Sequence, residues 1–328
     1  MLRALFLGLA LTACRSHPSP YAARAQRVFG AVFSVAAWGS DSARLNLSAA
    51  GAVDTVRQVD ALVAPEQAQS EVHRINQAAG RGPQAISPSL MSMLREGLVI
   101  ARASSGAFDP TGGDYRGITL DTLHQVVRLR AGQSLDLSGI APGYALDHAL
   151  PALEGVADSA ILGIGGLLLV RAGAPVVGPG RVVGISDPGN SLDALAKVEL
   201  PLGTWAIATT AITDADPVKD PRTGREADRV RSITTVAASA MTAIAWSRAF
   251  FVLGCDSALA QAPGLEVNVL CVDDRIRWTE GLNGRLMLLT DSARAAASGL
   301  APGPARALAP TPATPGSSSR PVHSDSSH

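Results

Sequence analysis

The sequence predicts an α+β domain, and three observations point there. Segments with helical spacing and segments that read as strands are mixed along the chain without strict β–α alternation. The 328 residues are 47% hydrophobic and 17% charged, which is ample for a real core in one large domain or two small ones. No internal repeat is visible, and 32 Gly with 21 Pro imply many turns and few very long helices.

In chain order, Val28 to Ala37 (VFGAVFSVAA) reads as a strand. Ser42 to Val63 is helical, because Leu45, Ala49, Ala52, Val56, Val59 and Val63 recur in steps of four and three on one face. Ser70 to Ala79 opens with Ser-Glu and reads as a short capped turn. Ser87 to Ser104 starts Ser-Pro-Ser and carries Leu90, Met93, Leu94, Leu98 and Ile100 on an amphipathic helix that stops before Ser105-Gly106. Val126 to Leu129 and Ser134 to Leu137 alternate like a β-pair, and Gly143 to Leu153 is helical. Ser159 to Val170 and Arg181 to Ser186 are strands around a Gly-rich turn. Ala196 to Leu200, Thr204 to Thr209 and Arg231 to Ala237 follow as strands. Met241 to Leu253 is a helix ending at Gly254, with a shorter one from Asp256 to Ala262. Val267 to Val272 and Arg285 to Leu289 close the β part.

The ends of the chain read differently. Arg3 is followed by the apolar run Ala4 to Leu11, which is too short to span a bilayer and fits the core of a secretory signal. It runs into Leu11-Thr12-Ala13-Cys14, which resembles the lipobox of bacterial lipoproteins, with Cys14 as the lipidated first residue of the mature chain. An ordinary signal peptide with an incidental Cys is the simpler alternative. The expected organisation is a signal peptide at 1–13, a tether at 14–26, a domain at 27–292 and an Ala/Pro/Ser-rich disordered tail at 293–328 that holds His323 and His328. The chain is then expected to be exported and lipid-anchored on the periplasmic face. Arg15 at the second mature position favours the outer membrane over the inner.

Composition excludes some partners. Lys+Arg and Asp+Glu both number 28, and aromatics are 4%, so neither a basic stripe nor a stacking platform for nucleic acid is present. The three cysteines, Cys14, Cys255 and Cys271, are too few and odd in number for a disulfide framework. Gly163-Ile164-Gly165-Gly166 lacks the strand–GxGxxG–helix context of a dinucleotide fold.

More specific is an ordered set of motifs: Ser70 to Asn76 (SEVHRIN), Ser105 to Thr111 (SGAFDPT), Leu135 to Asp147 (LDLSGIAPGYALD), Gly184 to Pro188 (GISDP), Asp220 to Gly224 (DPRTG) and Phe250 to Gly254 (FFVLG). In this order they resemble the FAD:protein FMN transferase (ApbE-like) family. The resemblance covers roughly Val28 to Leu289. It implies a single two-lobed α+β domain with mostly antiparallel central sheets and a flavin cleft between the lobes. The implied activity is transfer of FMN from FAD to a Thr or Ser of a partner protein with release of AMP. FAD would be the substrate and Mg²⁺ the metal on its pyrophosphate. The partner would be a flavin-acceptor protein of a membrane redox complex.

By the same resemblance Ala107, Phe108, Asp109 and Asp136 match flavin-contacting positions, and the backbone carbonyl of Gly139 falls where the family offers a metal ligand. Asp109, lying before Pro110, can equally hold a turn. No residue is singled out as catalytic. Several positions depart from the family pattern. Its metal helix reads like DALSTALFVLG, whereas the aligned stretch here places Ile244 at the metal-binding Asp and Arg248 at the Thr one turn later. Ile cannot ligate Mg²⁺, and a guanidinium repels it. Pro217, Pro142, Leu167, Phe29 and Ala31 replace a His, a Lys, an Asp, a Met and a Thr of the family pattern, the TSGDYE stretch is altered over Thr209 to Asp214, and an LWGF motif is missing between Thr111 and Leu135. Arg248 reads in two ways: as a cation that binds the pyrophosphate itself, or as a salt-bridge partner of Asp214 or Asp216. Together the replacements argue for weak or absent metal-assisted activity. The alternatives to the transferase are an inactive flavin- or partner-binding lipoprotein of the same fold, and a flavin-free scaffold.

Overall fold

A computed structural model describes residues 20–173, 182–212, 217–290 and 293–294. The expected signal peptide with Cys14, nearly all of the expected tail, and Asp214 and Asp216 lie outside the described residues.

The chain enters through a hairpin of β1 (Tyr21–Val28) and β2 (Ala31–Trp38), paired from Tyr21↔Trp38 to Val28↔Ala31. Phe29 and Gly30 form its tip with φ of 49° and 71°, the left-handed pair that a tight hairpin turn demands. This corrects two expectations. The single strand over 28–37 is two strands, and residues 21–26 of the expected tether belong to the sheet. The pattern of β1 hides it, since Ala22 and Val28 alone are buried there; pairing with β2, not amphipathicity, makes it a strand.

Helix α1 (Ser42–Val63) is capped by Asp41, whose Oδ1 accepts from the amides of Ala43 and Arg44. It buries the six residues the spacing predicts. Helix α2 (Glu71–Gln77) starts at the Ser70 cap, so the expected turn is a full short helix. Strand β3 (Gln84–Ala85) precedes α3 (Pro88–Ala103), capped by Ser87 with proline in its first turn. Strands β4 (Thr119–Asp121) and β5 (Val126–Arg128) join β3 in a small sheet of order β3-β5-β4. The expected pairing of 126–129 with 134–137 does not form: β5 pairs with β3 and β4, and residues 134–137 are loop.

After α4 (Ala141–Ala149) come β6 (Ser159–Ile164), β7 (Leu167–Ala172), β8 (Val182–Asp187), β9 (Asn190–Glu199), β10 (Gly203–Ala211) and β11 (Ser232–Ala237). Then follow α5 (Ala240–Leu253), α6 (Cys255–Gln261), β12 (Asn268–Val272), β13 (Ile276–Trp278) and β14 (Leu286–Leu288). The large sheet runs β1-β2-β6-β7-β10-β11-β12-β13, with every neighbouring pair antiparallel. Strand alternation divides its side chains between two cores. Ala206 and Ala208 of β10 face the core shared with α1, α3, α4 and α5, while Ile207 between them faces the core shared with the small sheet β14-β9-β8. Small residues on the helix side let α5 lie close to the sheet, and β11, covered on both faces, is buried at every position.

A disulfide joins Cys255, at the start of α6, to Cys271 in β12. The low cysteine count concealed this pair, because a sequence separation of 16 carries no signal that the two sulfurs meet.

Candidate active site

A cavity of about 1130 Å³ opens beside α5, between the β1–β2 tip, the C-terminal end of α1, the loops after α3 and before α4, the β6–β7 turn and the end of β10. That volume is at the upper end of ligand sites, roughly 1,000 Å³, and suits a dinucleotide-sized molecule.

The loop after α3 forms one wall. Ser105 and Gly106 take φ of 53° and 83°, and the amide of Gly106 closes the helix on the Ala101 carbonyl at 2.8 Å. Buried Ser104 accepts the Phe108 amide at 3.1 Å. Both carboxylate oxygens of Asp109 are engaged: Oδ1 accepts from the Thr111 amide (2.7 Å) and hydroxyl (2.6 Å), and Oδ2 from the Tyr115 amide (2.9 Å). Asp109 therefore holds this wall in shape, the turn-forming alternative of the sequence reading, while still lining the cleft. Ala107 and Phe108 are buried, and the Phe108 ring packs over Gly97 and Gly139.

The loop before α4 forms the next wall. Asn76 grips Leu135 from both sides: its Oδ1 accepts the Leu135 amide (2.7 Å), and its Nδ2 donates to the Leu135 carbonyl (3.2 Å). The amide of Asp136 donates to the Pro110 carbonyl at 2.7 Å, which ties the two walls together. Asp136 itself is exposed, and its Oδ1 accepts the Ser138 amide at 2.9 Å. The Glu71 carboxylate accepts the Ser87 amide at 2.6 Å. The SEVHRIN motif thus acts as scaffold, pinning the loops that carry the cleft.

Helix α5 is the floor, and Asp147 of α4 sets its start. The Asp147 carboxylate accepts the amides of Ala240 (2.8 Å) and Met241 (2.9 Å) and the Ser239 hydroxyl (2.8 Å). A carboxylate at a helix N-terminus also complements its dipole. Gly143 allows the two helices to touch, because a Cβ there would lie 2.5 Å from the Ala240 carbonyl oxygen. On the cleft side of α5 sit Ile244, Ser247, Arg248 and Val252. Ser247 Oγ pairs with Thr210 Oγ1 at 2.8 Å and also reaches the Ile244 carbonyl at 2.8 Å. Arg248 runs along Gly139, whose missing Cβ would lie 3.1 Å from Arg248 Cδ and 2.8 Å from Phe108 Cε2. Its Nη1 is 3.5 Å from Ser138 Oγ, and among the described residues it meets no carboxylate. The alternative partners Asp214 and Asp216 lie outside the described residues.

The DPRTG turn closes one side. Asp220 and Arg222 form a two-pronged pair, Nε–Oδ1 and Nη2–Oδ2 both at 2.8 Å. Hydrogen bonding from the guanidinium holds the Asp220 carboxyl below its ordinary 3.8, and the same contact raises Arg222. Arg222 packs beside Gly106, so this turn leans on the Ser105–Thr111 loop.

These donors do not fit a divalent cation. Mg²⁺ needs an octahedron of oxygen ligands, usually including carboxylates. Among the described residues no group of three His, Cys, Asp or Glu side chains converges. Asp109 and Asp220 engage both oxygens in holding their turns, Asp60 and Asp136 engage one each, the hydroxyls of Thr210 and Ser247 pair with each other, and the two positions a turn apart on α5 offer an alkyl group and a cation. The Gly139 Cα side lies against the stem of that cation.

The site residues named from sequence therefore come together: Ala107, Phe108, Asp109, Asp136, Gly139 and Arg248 all line the one cleft. So do the replaced positions Phe29, Ala31, Pro142, Leu167, Pro217 and Ile244. The positioning roles of Asn76 and Asp147 were not legible, although both residues stand inside recognised motifs; their partners lie 59 and 92 to 94 positions away.

The ApbE family model matches residues 29–115 and 112–271. A protein of Treponema pallidum named FAD:protein FMN transferase is 25% identical over 325 aligned positions, covering 81% of this chain and 89% of that protein. The crystal structure of the ApbE protein of Thermotoga maritima superposes with a TM-score of 0.70 at 22% identity, covering 80% of this chain and 97% of the other. The flavin transferase ApbE of Vibrio cholerae gives a TM-score of 0.70 at 19% identity, covering 82% and 100%. At these identities the structural likenesses show the fold: mixed α/β with antiparallel sheets, as the sequence predicts.

Proposed function

The chain belongs to the ApbE family, and from that premise we propose that it is an FAD:protein FMN transferase, moving FMN from FAD to a Thr or Ser hydroxyl of a partner protein. The acceptor oxygen bonds to the FMN phosphorus as the bridging P–O bond breaks. The electron pair leaves on AMP, and the hydroxyl proton passes to solvent. Positioning and charge neutralisation are what such a transfer demands of a protein. The observation that carries the reading is the convergence of the separated motifs on one dinucleotide-sized cleft. In this reading Ala107, Phe108 and Asp136, which line the cleft, contact FAD. Asp109 holds their wall, and Arg248 faces the phosphates.

The family match supports this reading over an inactive or flavin-free lipoprotein of the same fold. The test is incubation of the full chain with FAD and an acceptor peptide bearing the target Thr, followed by intact mass. The expected result is a peptide heavier by one FMN, with an equal amount of AMP. Bound FAD with neither product would overturn the transferase and leave the inactive alternative.

The acceptor in this reading is a protein of a membrane redox complex, and the chain reaches it by export and lipidation at Cys14, with the outer membrane favoured. The apolar run before Leu11-Thr12-Ala13-Cys14 supports export. So does the disulfide between Cys255 and Cys271, since such bonds persist in oxidising compartments. Replacing Cys14 by Ser should move the chain from the membrane fraction to the soluble periplasmic fraction. Unchanged membrane partition of the C14S variant would exclude lipidation at this residue.

A further inference from the structure

We propose that Arg248 supplies the positive charge on which a pyrophosphate is held in this cleft, so that FAD binds without a divalent cation. The inference rests on the reading of the cleft as an FAD site, and it concerns how this chain, unlike the family pattern, neutralises its substrate.

Four observations converge. Ile244 and Arg248 are one turn apart on α5 and line the cleft with Ser247 and Val252, so the helix face that would meet phosphates carries one cation and no carboxylate. The stem of Arg248 lies along Gly139, with Phe108 on the same glycine; any side chain at position 139 would displace both. The guanidinium is thereby aimed, with only a long 3.5 Å contact to Ser138 Oγ and no carboxylate among the described residues. Arg222, by contrast, is consumed by its fork with Asp220, and the other cations lining the cleft, Arg27 and Lys219, are not on α5.

No three metal-binding side chains converge among the described residues, although Asp60, Glu66 and Asp136 line the cleft beside Asp109 and Asp220. Asp109 and Asp220 use both oxygens in holding their turns. A metal ion placed beside α5 would find no ligand on Ile244 and repulsion from Arg248. A pyrophosphate placed there finds a planar, cationic fork of donors that matches phosphate oxygens. The chemistry favours the anion over the metal at this position.

The test is calorimetric titration of FAD into the full chain, in EDTA and in millimolar Mg²⁺, with the wild type, Arg248→Ala and Arg248→Lys. Riboflavin, which lacks the phosphates, is the control ligand, and melting curves confirm that the variants are folded. Wild-type affinity for FAD should agree between the two buffers. Arg248→Ala should weaken FAD by about tenfold to a hundredfold in EDTA, leaving riboflavin unchanged, with partial recovery in Arg248→Lys. A wild type that binds FAD only with Mg²⁺, or an Arg248→Ala variant that leaves FAD affinity unaltered or weakens FAD and riboflavin alike, would overturn the proposal. Metal-free FAD binding without FMN transfer would remove the transferase reading alone. Mg²⁺-dependent binding followed by transfer would remove the Arg248 inference alone.

Discussion

Replacing Gly143 by Ala should lower the melting temperature by about 10 °C, from a stability loss of about 3–5 kcal/mol. A Cβ at this position would lie 2.5 Å from both the Ala240 carbonyl oxygen and the Met241 Cα. These are backbone atoms, so no rotamer change relieves the overlap and α4 and α5 must separate. Separation also strains the Asp147 carboxylate that holds the amides of Ala240 and Met241. A buried donor left unpaired costs about 1–3 kcal/mol, which adds to the overpacking term. Because α5 carries Arg248, FAD affinity should fall with stability. Gly51→Ala is the matched control. Gly51 lies inside α1, where an added Cβ meets only the Ala152 Cβ at an ordinary 3.8 Å. Alanine is the better helix former by about 1 kcal/mol, so that variant should melt at or above the wild-type temperature. Calorimetry on both variants checks the pair, and equal melting temperatures for them would contradict the described α4–α5 contact.

Removing the bond between Cys255 and Cys271 should cost about 3 kcal/mol, the loop-closure entropy of a loop of this length. The sequence separation is 16, and both residues are buried, at 4% and 0% exposure. The bond ties the start of α6 to β12 in the large sheet. Gly254, which ends α5 and begins α6 at φ 89°, leaves the two helices joined through a single residue. Loss of the tie should therefore loosen the end of α5 as well as α6. Melting curves with and without a phosphine reductant should differ by about 6–12 °C for the wild type. They should coincide for the Cys255→Ala, Cys271→Ala double variant. Two free thiols titrated in non-reduced, exported protein would show that the bond does not form.

Much of the fold was legible because local patterns report local physics. The α1 spacing names the residues that α1 buries, Ser87 marks a helix start that the structure confirms by a hydrogen bond, and Ser70 caps a short helix where a capped turn was expected. The failures came where pairing outweighs pattern. Strand β1 is exposed along most of its length, and residues 134–137 alternate like a strand yet are held as loop by Asn76.

For the site, the sequence by itself determined the family scaffold and the replacement of ligand-type side chains by Ile244 and Arg248. Those are properties of residue type and order, and they need no coordinates. Only the tertiary structure decided which motif residues build the walls and which remain open to a ligand. Asp109, Asn76, Asp147 and Asp220 have their hydrogen-bonding groups engaged by loops and helices, while Arg248, aimed past Gly139, meets no carboxylate among the described residues. The physical reason is that a polar side chain's role is set by the partners the fold brings within hydrogen-bonding distance, and for Asn76 and Asp147 those partners lie 59 and 92 to 94 positions away.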